Sequence, residues 1–206
     1  MTRSRLAAAA ALTVTGGAAA MLFALVAGPG AWWRGYVSEA GAAGQPYAVV
    51  YRLGLILLAL GVALLGRALR RAGLLLLVAA VLAGTSGVVP CSDQCPLPPY
   101  EPTTPADVVH TAASILGMAV LAVAMALTWR SAVRPAIRRL TVVALALTVP
   151  LGAALGLTML FAGRGTTGAL LERILLAVAV SWLIGAALLT ALDGNRRPGR
   201  SRASPN

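Results

Sequence analysis

The sequence predicts an all-α membrane protein: a bundle of six transmembrane helices with both termini in the cytoplasm. Of its 206 residues, 59% are hydrophobic and only 11% are charged. A soluble domain is typically about 45–50% apolar and about 25% charged, so this chain cannot cover itself with a polar surface. The net charge of +11 alone would suggest a nucleic-acid partner. The apolar excess instead indicates membrane lipids as partners, and no nucleic acid.

A helix that crosses a bilayer needs about 20 mostly apolar residues, because the hydrocarbon layer is roughly 30 Å thick and each residue rises about 1.5 Å. Backbone groups in lipid must bond within their own segment, which leaves helices as the expected form. Six segments meet this requirement, and the third is the shortest: residues 6–27, 48–66, 73–89, 108–129, 140–162 and 174–192. We expect residues 1–192 to form one transmembrane domain.

The first segment follows Arg3 and Arg5 and could be taken for a signal peptide. Its apolar stretch is longer than the 7–15 residues typical of such a peptide, so we interpret it as an uncleaved anchor. Pro150 lies inside the fifth segment and is expected to kink it. Residues 193–206 are rich in Arg, Pro, Gly and Ser, which predicts a disordered, basic cytoplasmic tail.

The arginines predict the orientation in the cell membrane. Thirteen of the 17 lie on one side of the six spans: Arg3, Arg5, Arg67, Arg70, Arg71, Arg130, Arg134, Arg138, Arg139, Arg196, Arg197, Arg200 and Arg202. The other side has four arginines and five of the six acidic residues. Positive charge favours the cytoplasmic side, and an even number of spans also puts both termini there.

Several ionisable residues lie at or near the starts of spans two, four and six, on the predicted outer face. We expect a cluster of Glu39, Arg52, Asp93, His110, Glu172 and Arg173, and the candidate ligand-binding set adds Ser38 and Asp107. Such groups are costly in hydrocarbon, so they should pair with one another or face a wet cavity. Structural ion pairs that tie loops to helix ends are the alternative.

Cys91 and Cys95 lie in the second outer loop, in a compartment that is oxidising, which favours a disulfide. A metal site of Cys91, Cys95 and His110, with or without Asp93, is the alternative, and these ligand types suit zinc or copper. No resident cofactor is predicted. The chain has no Walker sequence, no GxSxG and no HExxH.

Three short motifs on the predicted outer face carry a family resemblance. They are Ser38-Glu39-Ala40-Gly41 before span two, Pro90-Cys91-Ser92-Asp93 running to His110, and Leu171-Glu172-Arg173 before span six. With these motifs the chain resembles the bacterial and archaeal membrane family catalogued as domain of unknown function 998. The resemblance implies a six-helix, multi-pass protein and no particular activity.

Three functions are compatible with these features. The first is an outer polar pocket that binds a lipid headgroup, a small ligand, a partner protein or a second copy of the chain. The second is a membrane-embedded enzyme acting on a lipid or isoprenoid, with Glu39, Asp93, His110 or Glu172 as general acid or base. The third is a small transporter, although no charged residue lies near the centre of a span.

Overall fold

The computed structural model describes residues 2–96 and 100–195, without the side chains of residues 194 and 195. In chain order its elements are α1 (Arg3–Ala27), a short 3-10 helix (Val37–Gly41), α2 (Ala48–Ala68), α3 (Gly73–Val88), α4 (Pro105–Ser131), α5 (Pro135–Phe161) and α6 (Thr166–Asn195). No strand occurs among these residues, so the prediction of six α-helices is confirmed. Residues 196–206 of the predicted tail lie outside the described residues.

The helices are those of a multi-pass membrane protein. Five of them are long and apolar enough to cross a membrane, and α3 is a shorter apolar helix of 16 residues. Large apolar side chains project from the bundle, as Leu12 and Phe161 do with 75% and 80% of their surface exposed. A soluble protein rarely exposes so much contiguous apolar surface, whereas lipid tails cover it at no cost.

Each helix packs against its neighbours in the sequence, and α6 closes the bundle against α1. The α1–α2, α3–α4 and α5–α6 connections therefore lie together at one end. We call this end, which carries Glu39, Asp93, Glu101, Asp107 and Glu172, the acidic end. The opposite end carries the two short connections and both termini of the six-helix segment, and we call it the arginine-rich end.

The core runs along the bundle and draws side chains from every helix. Trp182 of α6 is fully buried and donates its indole N–H to Oγ1 of Thr141 on α5 over 3.0 Å. Helices α1 and α2 approach each other closely at Gly17 and Gly54, where a Cβ added to Gly17 would lie 2.5 Å from the Gly54 carbonyl oxygen. Small residues at such crossings let the helix backbones meet, as membrane helices require.

Local signals mark the helix starts near the acidic end. Thr104 caps α4 by accepting the backbone N–H of Asp107, and Asp107 in turn accepts the backbone N–H of Thr104. Pro105 occupies the first turn, where its missing N–H costs nothing. Pro150 lies inside α5, which continues through it to Phe161.

Candidate functional site at the acidic end

The C-terminal end of α3 is closed by side chains from its two neighbouring helices. Arg52 of α2 donates from Nε to the Gly87 carbonyl oxygen over 3.0 Å and from Nη2 to that of Val88 over 2.8 Å. Nδ1 of His110, on α4, lies 2.9 Å from the Ser86 carbonyl oxygen and 3.0 Å from that of Val89. The last carbonyls of a helix have no partner within the helix, and where water cannot reach them they need another donor. Arg52 and His110 supply donors to the last carbonyls of α3.

The His110 ring also contacts two hydroxyl groups between α3 and α4. Oγ of Ser86 lies 3.2 Å from Nδ1 and 3.4 Å from Nε2 of His110, and 2.8 Å from Oγ of Ser114. Ser86 and His110 are both buried. These three side chains form a polar layer that joins α3 to α4.

Asp107 anchors the loop that carries the cysteines. Its side chain is fully buried, and its carboxylate accepts the backbone N–H of Ser92 over 2.6 Å and the Ser92 hydroxyl over 3.0 Å. The same carboxylate accepts the backbone N–H and the hydroxyl of Thr104, each over 2.7 Å. The buried charge is therefore surrounded by donors, which is the condition under which such a charge is tolerated.

Cys91 and Cys95 are joined by a disulfide, with their Cα atoms 5.0 Å apart. Cys91 is buried, and its carbonyl oxygen accepts the N–H of Ala43 from the α1–α2 loop. The two sulfurs and a ring nitrogen of His110 all lie within 4.8 Å of one another. Asp93 is exposed in the same turn, and within residues 2–96 and 100–195 its side chain has no hydrogen bond or ion pair.

A second group lies on the side of the acidic end formed by α1 and α6. Nη2 of Arg164, in the α5–α6 connection, lies 2.5 Å from Oε1 of Glu39, and its Nη1 lies 3.5 Å from Oε2 of Glu101. Oε1 of Glu39 also accepts the backbone N–H of Tyr36 over 2.9 Å. One guanidinium thus links all three connections of the acidic end.

Glu172 and Arg173, on α6, hold the loop that follows α1. Glu172 accepts the backbone N–H of Val37, and Arg173 donates to the carbonyl oxygens of Trp32, Gly35 and Ala169. We call Tyr36, Glu39, Arg164, Glu172 and Arg173 the ion cluster. Ser38 lies beside it in the 3-10 helix, and its hydroxyl makes no hydrogen bond within the described residues.

Tyr36 is the buried aromatic residue of the ion cluster. Burial raises the pKa of its phenol above the usual range, and the nearby Glu172 carboxylate is the second cause of this increase. The phenol therefore stays protonated near neutral pH and is an O–H donor. Within the described part of the chain its oxygen has no hydrogen-bond partner.

A cleft of about 90 Å³ opens between the loop after α1 and the start of α2. Its lining includes Trp32, Arg34, Tyr36, Glu39, Gln45 and Tyr47. Gly35, with a φ of 69°, lies so close to the Glu39 carboxylate that a Cβ would collide with it. Glycine at this position lets the loop fold tightly over the ion cluster.

The structure divides the predicted cluster into two. Glu39, Glu172 and Arg173 come together in the ion cluster, while Arg52 and His110 meet at the end of α3. Within the described residues no hydrogen bond or ion pair joins His110 to Glu39 or Glu172. In the described residues the direct contacts of these side chains therefore fall into two groups, and the Asp93 side chain bonds to neither.

Several contributors, among them Ser86, Tyr36, Arg34 and Arg164, were not among the predicted site residues. Ser86 and Tyr36 carry no sequence signal beyond their places near the ends of α3 and α1. Arg164 had a signal: it is one of only four arginines on the sparsely basic side of the spans. That scarcity could have marked it as a partner for the acids there.

The chain was compared with protein families, with curated proteins and with solved structures. No curated protein and no solved structure matches it significantly. One family model, described as a protein of unknown function (DUF998), matches residues 6–189, which include all six helices at least in part. The chain therefore belongs to the DUF998 family of proteins of unknown function.

Proposed function

We propose that this protein binds the phosphate-bearing headgroup of a membrane lipid in the cleft at its acidic end. The observation that carries the proposal is Arg34, an exposed residue of the cleft lining whose guanidinium has no hydrogen bond or ion pair within the described residues. The other arginines of the acidic end, Arg52, Arg164 and Arg173, all donate to protein oxygens. An unpaired guanidinium matches a phosphate with two parallel hydrogen bonds.

The charges around the cleft favour an anion. Glu39 lines the same cleft, but Arg164 already neutralises its carboxylate. Arg34 is thus left as the uncompensated charge there. Tyr36 also contributes to the lining, while its hydroxyl oxygen is buried beside Gly168 of α6.

The surroundings favour a lipid as the source of the phosphate. Trp32 and Tyr47 line the cleft, and aromatic rings of this kind lie at the headgroup level of membranes. Leu22, Phe23 and Val26 of α1 are more than half exposed next to it, where acyl chains would lie. Drug-sized ligands occupy pockets of about 300–1,000 Å³, so a cleft of about 90 Å³ suits a headgroup fragment.

The proposal includes the orientation. We place the acidic end outside the cell membrane and both termini in the cytoplasm, because thirteen of the 17 arginines belong to the opposite side. The ligand is then a lipid of the outer leaflet. The enzymatic alternative is less well supported, because Glu172 and His110 serve separate clusters rather than a common reacting bond.

Tryptophan emission tests the proposal at the cleft itself. In the full chain carrying Trp33→Phe and Trp129→Phe, Trp32 reports on the cleft and Trp182 is buried in the core. Short-chain phosphatidylglycerol added to this protein in detergent should shift the emission saturably. A diglucosyl lipid with the same chains should bind at least about tenfold more weakly, as expected for the loss of charge-assisted hydrogen bonds.

Two variants and a competition with inorganic phosphate serve as controls for this test. Arg34→Met should remove the preference for phosphatidylglycerol, whereas Arg130→Met, at the other end of the bundle, should keep it. Inorganic phosphate should compete weakly; if it alone produces the full shift at equal affinity, free phosphate is the ligand. Equal binding of both lipids, or no effect of Arg34→Met, would refute the proposal.

A further inference from the structure

We propose that Cys91, Cys95 and His110 form a redox-controlled site for one thiophilic cation, Zn²⁺ or Cu⁺, in the reduced form of the protein. The site is separate from the lipid cleft and does not depend on it. Its basis is the convergence of two sulfurs and one imidazole nitrogen within 4.8 Å of one another. Two thiolates and an imidazole are a ligand set that selects zinc or copper(I) over harder cations.

The geometry requires only a small adjustment. Metal–sulfur distances of about 2.3 Å and metal–nitrogen distances of about 2.0 Å place ligand atoms roughly 3.3–3.8 Å apart around a tetrahedral ion. The three ligand atoms lie within 4.8 Å of one another, and reduction of the disulfide frees its two sulfurs to separate into that range. Copper(I) would be complete with three ligands, whereas zinc would add one water.

The histidine is oriented by the protein. Two carbonyl oxygens lie 2.9 and 3.0 Å from Nδ1 of His110, so in the neutral ring the hydrogen is on that nitrogen and the other nitrogen keeps its lone pair. Metal-binding histidines are held in just this way, with one N–H donated to a carbonyl oxygen or a carboxylate. Because His110 is only 6% exposed, little water competes for the site.

The cysteine turn is also held in place. Gln94 and Cys95 have φ values of 62° and 47°, a left-handed conformation that side chains other than glycine rarely adopt. Such conformations persist where the surrounding structure imposes them, and they cluster at functional sites. Asp107, which lies one helical turn before His110, fixes the turn through Ser92 and so keeps the sulfurs beside the imidazole.

The disulfide and the metal exclude each other. A dithiol reductant breaks the bond between the two sulfurs and becomes a disulfide itself. Cys91 and Cys95 gain two electrons and two protons from it and become thiols. On binding the cation each thiol releases its proton. A disulfide oxidant reverses the reaction: the two metal-bound thiolates give it two electrons and form the Cys91–Cys95 bond, the oxidant takes up two protons as it becomes a dithiol, and the metal ion is released. Metal content therefore reports the redox state at the acidic end.

Metal loading of the full chain in detergent tests the site. Protein reduced with a phosphine, then freed of it under anaerobic conditions, is incubated with Zn²⁺ in one sample and with Cu⁺ in another. After desalting, we expect one metal ion per chain with at least one of them, and less than a tenth of that in the oxidised protein. Equal loading in both redox states, or loading with neither ion, would overturn the proposal.

Variants identify the ligands. Cys95→Ser and His110→Asn should each weaken binding at least tenfold, and Asp93→Asn, an exposed substitution in the same turn, should not. Because His110 also closes the end of α3, its variant has a folding risk, so a wild-type measurement is added. The metal that loads should slow alkylation of Cys95 in reduced wild-type protein at least tenfold; an unchanged rate counts against ligation by this cysteine.

Discussion

The Nη2 atom of Arg164 lies 2.5 Å from Oε1 of Glu39, although the two residues are 125 positions apart in the chain. The pair joins the α5–α6 connection to the loop between α1 and α2. About a fifth of each side chain is exposed, so the contact is only partly screened by water. The same carboxylate oxygen accepts the N–H of Tyr36, which couples this ion pair to the shape of the cleft wall.

A double-mutant cycle should detect this ion pair. Glu39→Gln, Arg164→Met and the double variant are compared by their free energies of unfolding in detergent. We expect a coupling of about 1 kcal/mol, at or above the upper range for exposed pairs, because the two groups are half-buried. Single-variant effects that add to within about 0.3 kcal/mol would show that the pair contributes no coupling.

Replacing Arg52 should destabilise the fold, whereas replacing Arg34 should not. Arg52→Met keeps most of the aliphatic side chain but leaves the Gly87 and Val88 carbonyls without their donor. We expect a loss of about 1–3 kcal/mol in unfolding free energy. Arg34→Met is the matched control and should change stability by less than about 0.5 kcal/mol. Similar losses in both variants would contradict the role assigned to Arg52.

Asp107 and Asp93 provide a second matched pair. Asp107→Asn places an amide N–H₂ among the N–H and O–H donors of Ser92 and Thr104, so we expect a loss of about 2–3 kcal/mol. The exposed Asp93→Asn should be nearly neutral. Thermal unfolding of the two variants, followed by the loss of monodisperse protein, makes the comparison. A tolerated Asp107→Asn would mean that the buried carboxylate does not hold the loop.

The orientation can be measured with reporter fusions. A fluorescent protein fused after Asn206 should fluoresce in bacterial cells, and alkaline phosphatase fused there should be inactive, because positive charge keeps this end in the cytoplasm. An impermeant maleimide should label Cys95 in intact cells after reduction. An active phosphatase at the C-terminus would reverse the proposed topology and move the cleft to the inner leaflet.

The helices could be predicted because lipid imposes one simple requirement on the backbone. Every N–H and C=O in the hydrocarbon must bond within its segment, so apolar length alone predicts a helix. Even the short α3, Gly73–Val88, was expected to within one residue at its C-terminal end. The extension of α6 to Asn195 was not expected, because Asp193 and Gly194 are polar or flexible residues outside the apolar stretch.

The division of the acidic end could not be predicted from the same pattern. Hydropathy places Glu172 and His110 at the same depth but says nothing about their positions around the bundle. In the structure α6 packs against α1 and α5, whereas α4 packs against α3 and α5. Glu172 therefore meets the loop after α1, and His110 meets the end of α3. The partnership of Arg164 with Glu39 depends on the same long-range packing.

Photo-crosslinking tests the central claim, that the cleft beside Arg34 binds a phospholipid headgroup. A phosphatidylglycerol with a diazirine on its headgroup glycerol is incorporated into nanodiscs with the full chain, irradiated, and the modified peptides are identified by mass spectrometry. The dominant adducts should fall within residues 28–47, and Arg34→Met should reduce them at least about fivefold relative to adducts elsewhere, since it removes a charge-assisted contact. Adducts spread evenly over all connections of the acidic end, or unchanged in Arg34→Met, would contradict the claim.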